Sequence, residues 1–245
     1  MPRKLCFVIS PLVAVTSLLL HSCAESEPDT AAAAASAVPS VEALTDSLTD
    51  SLSGTDIYRQ ICATCHGENG EGKEELFSPS IAGLPVWYGE EQLRKFRSGQ
   101  RGFHPEDLPG QQMRAISLSL TDEQISEIAA VVAAMPMILT EAPPAGTDLQ
   151  RGRYQFANTC MECHRYNGMG EVAFHSAPLI SLNRSYLRRQ LINYRSGRRG
   201  ADPGDIYGQK MVEISSRLSD EEIERFVDYI GALAHGDDPR SERER

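Results

Sequence analysis

The 245-residue sequence lacks both an excess of positive charge and an apolar run long enough to cross a membrane. Its 34 acidic and 24 basic residues give a net charge of −10, which argues against a nucleic-acid-binding surface. The apolar stretch at residues 5–20 has 16 residues, fewer than the roughly 20 that a membrane-spanning helix needs. A hydrophobic content of 41% excludes a wholly disordered or collagen-like chain. The composition therefore predicts a globular protein.

The sequence also has no cysteine to spare for a disulfide framework or a catalytic thiol. Two of the six cysteines, Cys6 and Cys23, belong to the N-terminal segment. The other four form two Cys-x-x-Cys-His motifs, at residues 62–66 and 160–164. Every cysteine therefore has another predicted role.

Residues 1–22 have the pattern of a lipoprotein-type signal peptide, with two basic residues ahead of the apolar core. The segment Leu20–Cys23 resembles the box of bacterial lipoproteins, in which lipidated Cys23 becomes the first residue of the mature protein. Ordinary cleavage after Ala24 is the alternative, because Ser22 and Ala24 also form a small-x-small site. We expect a periplasmic-side lipoprotein held on the membrane by its lipid, or a soluble periplasmic protein in the alternative case.

Residues 23–50 contain acidic and alanine residues without a single basic one, which predicts a solvated tether. The remainder repeats itself at an offset of 98 residues: Cys62 matches Cys160 and Tyr88 matches Tyr186. The constant offset predicts two copies of one domain, at residues 51–140 and 148–236. A Pro/Gly linker at residues 141–147 joins them, and a charged tail at residues 237–245 follows.

Each copy is predicted to be helical, because no run alternates apolar and polar residues long enough to indicate a sheet. The last helix of each copy begins with a capping box, formed by Thr121 with Gln124 and by Ser219 with Glu222. The earlier predicted helices are Gly54–Ala63, Gly89–Ser98, Gly152–Met161 and Ser185–Ser196.

Cys-x-x-Cys-His is the attachment site of a c-type haem. Two thiols one helical turn apart can reach the two vinyl groups of one porphyrin edge, and the adjacent histidine then lies under the iron. We therefore predict two covalently bound haem c groups. The predicted haem-binding residues are Cys62, Cys65, Cys160 and Cys163, with His66 and His164 as axial ligands of the iron.

Three other interpretations of these motifs are weaker. A Cys₄ zinc site would join cysteine pairs that are 95 residues apart and leave the histidines unexplained. A thioredoxin-like redox pair needs a βαβ setting that the sequence lacks. The Gly168-x-Gly170-x-x-Ala173 match to a dinucleotide fingerprint follows a haem motif instead of a strand, so we interpret it as a loop around the haem.

Met113 and Met211 are the predicted second axial ligands. Each follows its motif histidine by 47 residues, in what we expect to be a Gly/Pro-bearing loop ahead of the last helix. Filling the hydrophobic core is the ordinary role of methionine, but the repeated position favours ligation. Four other methionines have no methionine partner in the opposite repeat: Met135, Met137, Met161 and Met169.

Four arginines recur at the same offset, and we expect them to pair with haem propionates or to lie between the domains. These are Arg97, Arg101, Arg195 and Arg199. The second half has further arginines, which form a candidate docking patch for an acidic partner. The alternative for them is propionate pairing and a solvated helix face.

Each half resembles a class I cytochrome c domain, with a glycine and an aromatic residue before the motif and a methionine before the last helix. The tandem arrangement over residues 52–235 is similar to the dihaem cytochrome c4 family. The resemblance implies an all-α fold of two small helical domains, each wrapped around a covalent haem. It implies that a proline carbonyl, from Pro79 or Pro178, orients each ligand histidine. It also implies an aromatic residue on the last helix, which Tyr229 matches and Val131 does not.

The predicted function is electron transfer between respiratory donors and a high-potential acceptor such as a terminal oxidase. Two six-coordinate haems leave no open position for a substrate, so we expect no small-molecule substrate and no catalytic residue. The expected partners are redox proteins: an oxidase, cytochrome bc1 or a dehydrogenase. The alternative is the cytochrome subunit of a periplasmic dehydrogenase complex, and a dihaem peroxidase-type enzyme is less favoured.

Overall fold

The computed structural model describes residues 52–236. The predicted signal peptide, Cys23, the tether and the charged tail all lie outside the described residues. Within the described part the chain is helical, and its β-structure is limited to isolated bridges at Lys73–Ser78 and Glu171–Ser176. None of the helices between residues 52 and 236 is both long enough and apolar enough to cross a membrane.

The first domain begins with three short helical segments that follow one another without a break. They are helix α1 at Gly54–Ile57, a π-helical segment at Tyr58–Cys62 and helix α2 at Ala63–His66. A 3₁₀ turn, Glu74–Leu76, leads to helices α3 at Val86–Ser98, α4 at Leu108–Leu118 and α5 at Asp122–Ala133. Local π-helical geometry often marks functional sites, and here it ends on the first motif cysteine.

The second domain repeats this order. It has helix α6 at Leu149–Gln155, a π-helical segment at Phe156–Cys160 and helix α7 at Met161–His164. After the 3₁₀ turn Val172–Phe174 come helices α8 at Arg184–Arg195, α9 at Ile206–Ser215 and α10 at Asp220–Ala234. Both predicted capping boxes are confirmed at the start of α5 and α10.

A glycine allows the first and last helices of each domain to cross closely. A Cβ atom on Gly54 would lie 2.5 Å from the Cβ of Glu127 on α5. On Gly152 it would lie 2.3 Å from the carbonyl oxygen of Arg225 on α10. Both distances are shorter than any van der Waals contact, so only glycine fits at the two crossings.

The segments that hold Met113 and Met211 are helices α4 and α9, and the prediction of loops there was wrong. Asp107 and Asp205 cap these helices by accepting hydrogen bonds from the backbone N–H of Gly110 and Gly208. A Cβ on Gly110 would lie 2.0 Å from the capping carboxylate. The glycine is therefore required by the helix cap, although in the sequence it resembles a loop residue.

The chain between α5 and α6 contains no helix and lies against the second domain. Thr140 donates its backbone N–H to Ile180 O at 2.7 Å and its hydroxyl to Leu182 O at 2.9 Å. Glu141 accepts hydrogen bonds from Asn183 and from the backbone N–H of Arg184. These bonds fix the connecting segment to the start of α8.

Candidate functional site: two haem clefts

The motif residues of each domain lie where the first helical stretch ends. Cys62 closes the π-helical segment, and Cys65 and His66 lie on α2. Cys160, Cys163 and His164 have the same placement in the second domain. Both histidines are buried, so their imidazoles lie at the base of a cleft instead of in solvent.

A backbone carbonyl orients each motif histidine. The Nδ1 atom of His66 lies 3.0 Å from Pro79 O, and that of His164 lies 2.9 Å from Ala177 O. Because a carbonyl only accepts, Nδ1 carries the proton and Nε2 keeps the lone pair that a metal needs. This is the orientation expected of an iron ligand.

The acceptor for His164 is Ala177, so the expectation that Pro178 serves in the second domain was wrong. Both acceptors follow their histidine by 13 residues, whereas Pro178 follows His164 by 14, so the acceptor positions keep the 98-residue offset that the prolines break. The bridges Lys73–Ser78 and Glu171–Ser176 hold the two loops in the same register. A carbonyl belongs to the backbone, so the position requires no particular side chain.

Burial controls the protonation of the motif side chains. It lowers the pKa of His66 and of His164, although the bond to the carbonyl acts in the opposite direction. Both imidazoles are therefore neutral at neutral pH, which is the form that ligates a metal. Burial also raises the pKa of the Cys62 thiol to about 11 and that of Cys160 to about 12.

The predicted ligand residues line two clefts, one in each domain. The first cleft, of about 1330 Å³, is lined by Cys62, Cys65, His66 and Met113. The second, of about 1130 Å³, is lined by Cys160, Cys163, His164 and Met211. The structure thus brings each methionine to the cleft of its own histidine.

The residues of each cleft fit a covalent haem. A thiol pair and an imidazole with an available Nε2 are the donor set of c-type attachment. The cysteine pairs line separate clefts, which suits two haems and not one shared Cys₄ zinc ion. Cys62 and Cys65 would hold the first haem, and Cys160 and Cys163 the second. A bound haem supplies one-electron chemistry, because its iron alternates between the ferric and ferrous states.

The structure divides the four recurring arginines into two pairs. Arg97 hydrogen-bonds Leu120 O at 3.0 Å and forms an ion pair with Asp122. Arg195 does the same with Leu218 O and Asp220. Both therefore support the start of the last helix. The other pair lines the clefts, with Arg101 in the first and Arg199 in the second.

The additional arginines of the second domain bind partners within the protein. Arg184 pairs with Asp228, and Arg188 pairs with Glu224. Two others reach the first domain: Arg189 donates to Phe77 O at 2.6 Å, and Arg198 pairs with Glu106 at 2.5 Å. Their charge is directed to internal partners, which does not favour the predicted docking patch.

Sequence reasoning missed a wall that the two clefts share. Leu182 and two pairs of residues at the 98-residue offset line both clefts: Tyr88 with Tyr186, and Gln92 with Gln190. The recurrence of glutamine at the 98-residue offset was visible in the sequence and could have identified these positions. Its meaning was not visible, because the two glutamines lie on helices of different domains, Gln92 on α3 and Gln190 on α8, and only the fold brings both to each cleft.

Two tandem helical domains, each with a haem cleft, define a dihaem c-type cytochrome. The family model for cytochrome c matches residues 51–135 and again 149–234. A thiosulfate dehydrogenase electron acceptor from Stutzerimonas stutzeri is 32% identical, over 69% of this chain and 77% of that protein. Cytochrome c4 from the same species is 29% identical, over 71% of this chain and 84% of its own length.

A solved structure gives the same assignment. Reduced recombinant cytochrome c4 from Pseudomonas stutzeri matches with a TM-score of 0.58 and 25% identity, over 73% of this chain and 95% of that one. The chain belongs to the cytochrome c family. It is a dihaem electron carrier similar to cytochrome c4, with two covalently bound haems.

Proposed function

We propose that the protein carries electrons on the periplasmic side of the membrane, from respiratory donors to a high-potential acceptor such as a terminal oxidase. The main support is that each cleft is lined by one motif histidine and one methionine. With His66 and Met113, and with His164 and Met211, as axial ligands, both irons are six-coordinate. Methionine ligation also raises the haem potential, which suits a high-potential acceptor.

The test compares ligand binding with electron transfer. If both irons are six-coordinate, the reduced protein should bind no carbon monoxide and the protein should not turn over hydrogen peroxide. The reduced holoprotein should, however, be oxidised rapidly when a purified terminal oxidase and oxygen are added. Peroxide turnover by the isolated protein would instead support a peroxidase-type enzyme.

A second candidate is the electron acceptor of a dehydrogenase, and of thiosulfate dehydrogenase in particular. The relative with that name, 32% identical over 178 residues, favours it. The measurement is haem reduction after the oxidised protein is mixed with the catalytic subunit and thiosulfate. Reduction that requires both components, together with co-purification of the two proteins, supports this role. Without such reduction, transfer to the oxidase remains the proposal.

We also propose that Cys23 carries a lipid that anchors the protein to the membrane. The support is the sequence pattern of residues 1–23. In the native host the protein should fractionate with membranes. The Cys23→Ser variant should be soluble or accumulate as the precursor. Mass spectrometry that gives Glu25 as the mature N-terminus contradicts the anchor and supports a soluble periplasmic carrier.

A further inference from the structure

His175 lies at the rim of the second cleft and contacts the first domain. Its Nδ1 atom lies 2.9 Å from Oε2 of Glu91 on helix α3. Its ring stacks on that of Tyr207, with 4.2 Å between the ring centroids, and both residues line the second cleft. The side chain of His175 is 41% exposed, so solvent reaches it, whereas that of Glu91 is 17% exposed. We call Glu91 and His175 the interdomain pair.

The geometry of the interdomain pair identifies the nitrogen that titrates. Because an ionised carboxylate only accepts hydrogen bonds, Nδ1 of His175 holds the hydrogen of the contact with Glu91, and Nε2 is the atom that gains or loses a proton. Histidine is the side chain whose charge ordinarily changes between pH 5 and 8. The pair is therefore uncharged overall when the imidazole is protonated, and negative when the imidazole is neutral.

The charges on the elements packed against His175 favour its protonated form. Lys95 Nζ lies 2.7 Å from Glu91 Oε1 and 2.9 Å from Oδ1 of Asp205, the residue that caps α9. The Asp205 side chain is only 5% exposed, so both carboxylates are largely shielded from water. They share Lys95, and a protonated His175 supplies a second positive charge next to Glu91.

The other charged groups near the interdomain pair act less directly. Lys210 on α9 opposes protonation of His175, because its Nζ lies 5.2 Å from the centroid of the stacked Tyr207 ring. Lys210 is exposed, however, so water weakens the effect of its charge. On the loop of His175 itself, Glu171 pairs with Arg165 at 3.5 Å. The interdomain carboxylate is therefore the charge in direct contact with the imidazole.

The matching contact on the rim of the first cleft does not titrate. At the 98-residue offset, Phe77 takes the place of His175 and Arg189 that of Glu91. The local backbone is the same, because φ is 56° at Phe77 and 50° at His175. Arg189 donates to Phe77 O at 2.6 Å, and its guanidinium lies 5.5 Å from the ring centroid. Arginine keeps its charge and phenylalanine has no titrating proton, so the two clefts differ in this one respect at equivalent positions.

We propose that the interdomain pair links proton binding to the reduction of the second haem and not of the first. Reduction adds one electron to the iron, so it removes one net positive charge near His175 and favours binding of a proton from solvent at Nε2. Oxidation of the haem releases the proton again. Between pH 5 and 8 the second midpoint potential should therefore fall as the pH rises, because a neutral His175 no longer favours the ferrous state. The inference requires a haem in the second cleft, and it does not depend on the proposed donor and acceptor.

The test is a redox titration of the full holoprotein at several values between pH 5 and 8, with the NMR signals of each haem followed separately. The variant is His175→Phe, which places in the second domain the residue that the first domain has. In the unmodified protein we expect about a threefold larger change in the ferric–ferrous equilibrium of the second haem than in the variant, about 30 mV at 59 mV per tenfold change. The pH dependence of the first haem should be the same in both proteins.

Two further variants separate the charge of His175 from its packing. His175→Gln keeps a neutral donor for Glu91 and should lose the same part of the pH dependence, even if His175→Phe disturbs the domain contact. Glu91→Gln keeps the imidazole but removes the carboxylate that favours its protonation, so the fall in the second potential should move to lower pH. His104→Phe is the matched control, because His104 lines neither cleft.

Three outcomes overturn the inference. One is a second haem whose pH dependence is unchanged in His175→Phe and His175→Gln, which would assign that dependence to other groups such as the haem propionates. Another is an equal loss of pH dependence at both haems. The third is a change in His104→Phe as large as that in His175→Phe. The titration needs no redox partner, so a failure of the proposed electron transfer to an oxidase would leave its result unaffected.

Discussion

The two domains have the same backbone turn after the motif histidine but form it from different residues. The first domain has Gly67 there, with φ 82° and ψ 161°, and the second has Arg165, with φ 66° and ψ 159°. This region of backbone conformation suits glycine and strains any side chain. The first domain adds a buried hydrogen bond from the Tyr58 hydroxyl to Gly67 O, at 2.7 Å.

The second domain has Phe156 in place of Tyr58, and it compensates with aromatic packing. The Phe156 ring lies 5.4 Å from Tyr229 and 6.2 Å from Phe226, both on α10. Tyr229 thus packs on the first helical stretch of its domain. In the first domain, Val131 is only partly buried against the core. The same turn therefore follows the motif histidine in both domains, although a Tyr58 hydrogen bond reaches it in the first domain and Phe156 packs on the last helix in the second.

The largest effect is expected from replacing the methionines, which tests whether both domains use them as iron ligands. Met113→Ala and Met211→Ala should each remove one methionine–iron bond and leave the thioether bonds intact. Each should lower one midpoint potential by a sizeable part of the roughly 0.8 V that axial ligands control. The red absorption band of methionine-ligated ferric haem should fall by half. Met169→Ala is the control, and an unchanged band in Met113→Ala or Met211→Ala would show that the ligand assignment is wrong.

Gly67→Ala should destabilise the first domain. The new Cβ would lie 2.2 Å from the carboxyl carbon of Glu71, and the residue would keep a positive φ. We expect a loss of about 2–3 kcal/mol in the free energy of unfolding. Urea unfolding of the holoprotein, followed at the haem absorption, measures it. Gly146→Ala is the control, because Gly146 has a similar φ of 80° but nothing lies within 4 Å of its added Cβ, so the difference between the two variants measures the close contact with Glu71. Equal stability of the two variants would show that the contact with Glu71 adds nothing to the cost of a side chain at positive φ.

Tyr58→Phe should make the first domain resemble the second at this position and reduce its stability. The change removes the Tyr58 donor, so the buried Gly67 carbonyl keeps only the long hydrogen bond from the Gly70 N–H, at 3.4 Å. The substituted ring would also lack the aromatic packing that Phe156 has. The expected cost is about 1–2 kcal/mol. Phe156→Leu tests the other support and should destabilise the second domain. If Tyr58→Phe has no effect on urea unfolding, the hydrogen bond does not support the turn.

Arg165→Gly should remove the strain that distinguishes the second domain. Glycine adopts a positive φ at no steric cost, so we expect a gain of about 1 kcal/mol in stability. The ion pair between Arg165 and Glu171, at 3.5 Å, is partly exposed and contributes little. Arg165→Ala is the control, because it removes the same ion pair but keeps the strain. If the two variants are equally stable, the strain is not significant.

The smallest expected effect concerns the order of the two haem potentials. Residues 51–140 have 12 acids and 7 bases, a net charge of −5, whereas residues 141–236 have 12 of each. Negative surroundings stabilise ferric haem, so the first haem should have the lower potential. One charge at about 10 Å contributes about 0.4 kcal/mol in water, and roughly a third of that at physiological salt. The difference is therefore on the order of a few tens of millivolts.

The contacts of Arg189 and Arg198 with the first domain reduce this difference further. Titration of the assigned haems at low and high salt measures it. A first haem with the higher potential at low salt would mean that net charge does not decide the order.

The sequence by itself determined the cofactor, the number of domains and the fold class. The Cys-x-x-Cys-His motif is local chemistry, and an offset of 98 residues shared by many positions indicates a duplicated domain. The last helices were also predictable, because a capping box is made by residues three positions apart.

Only the tertiary structure decided which of the four recurring arginines line the two clefts. Arg97 and Arg101 are four residues apart, yet one supports a helix end and the other meets Tyr186 across the domain interface. The carbonyl of Ala177 was equally hidden, because a backbone acceptor leaves no mark in the sequence. These features depend on pairings through space between distant segments, and such pairings exist only after the two domains have packed together.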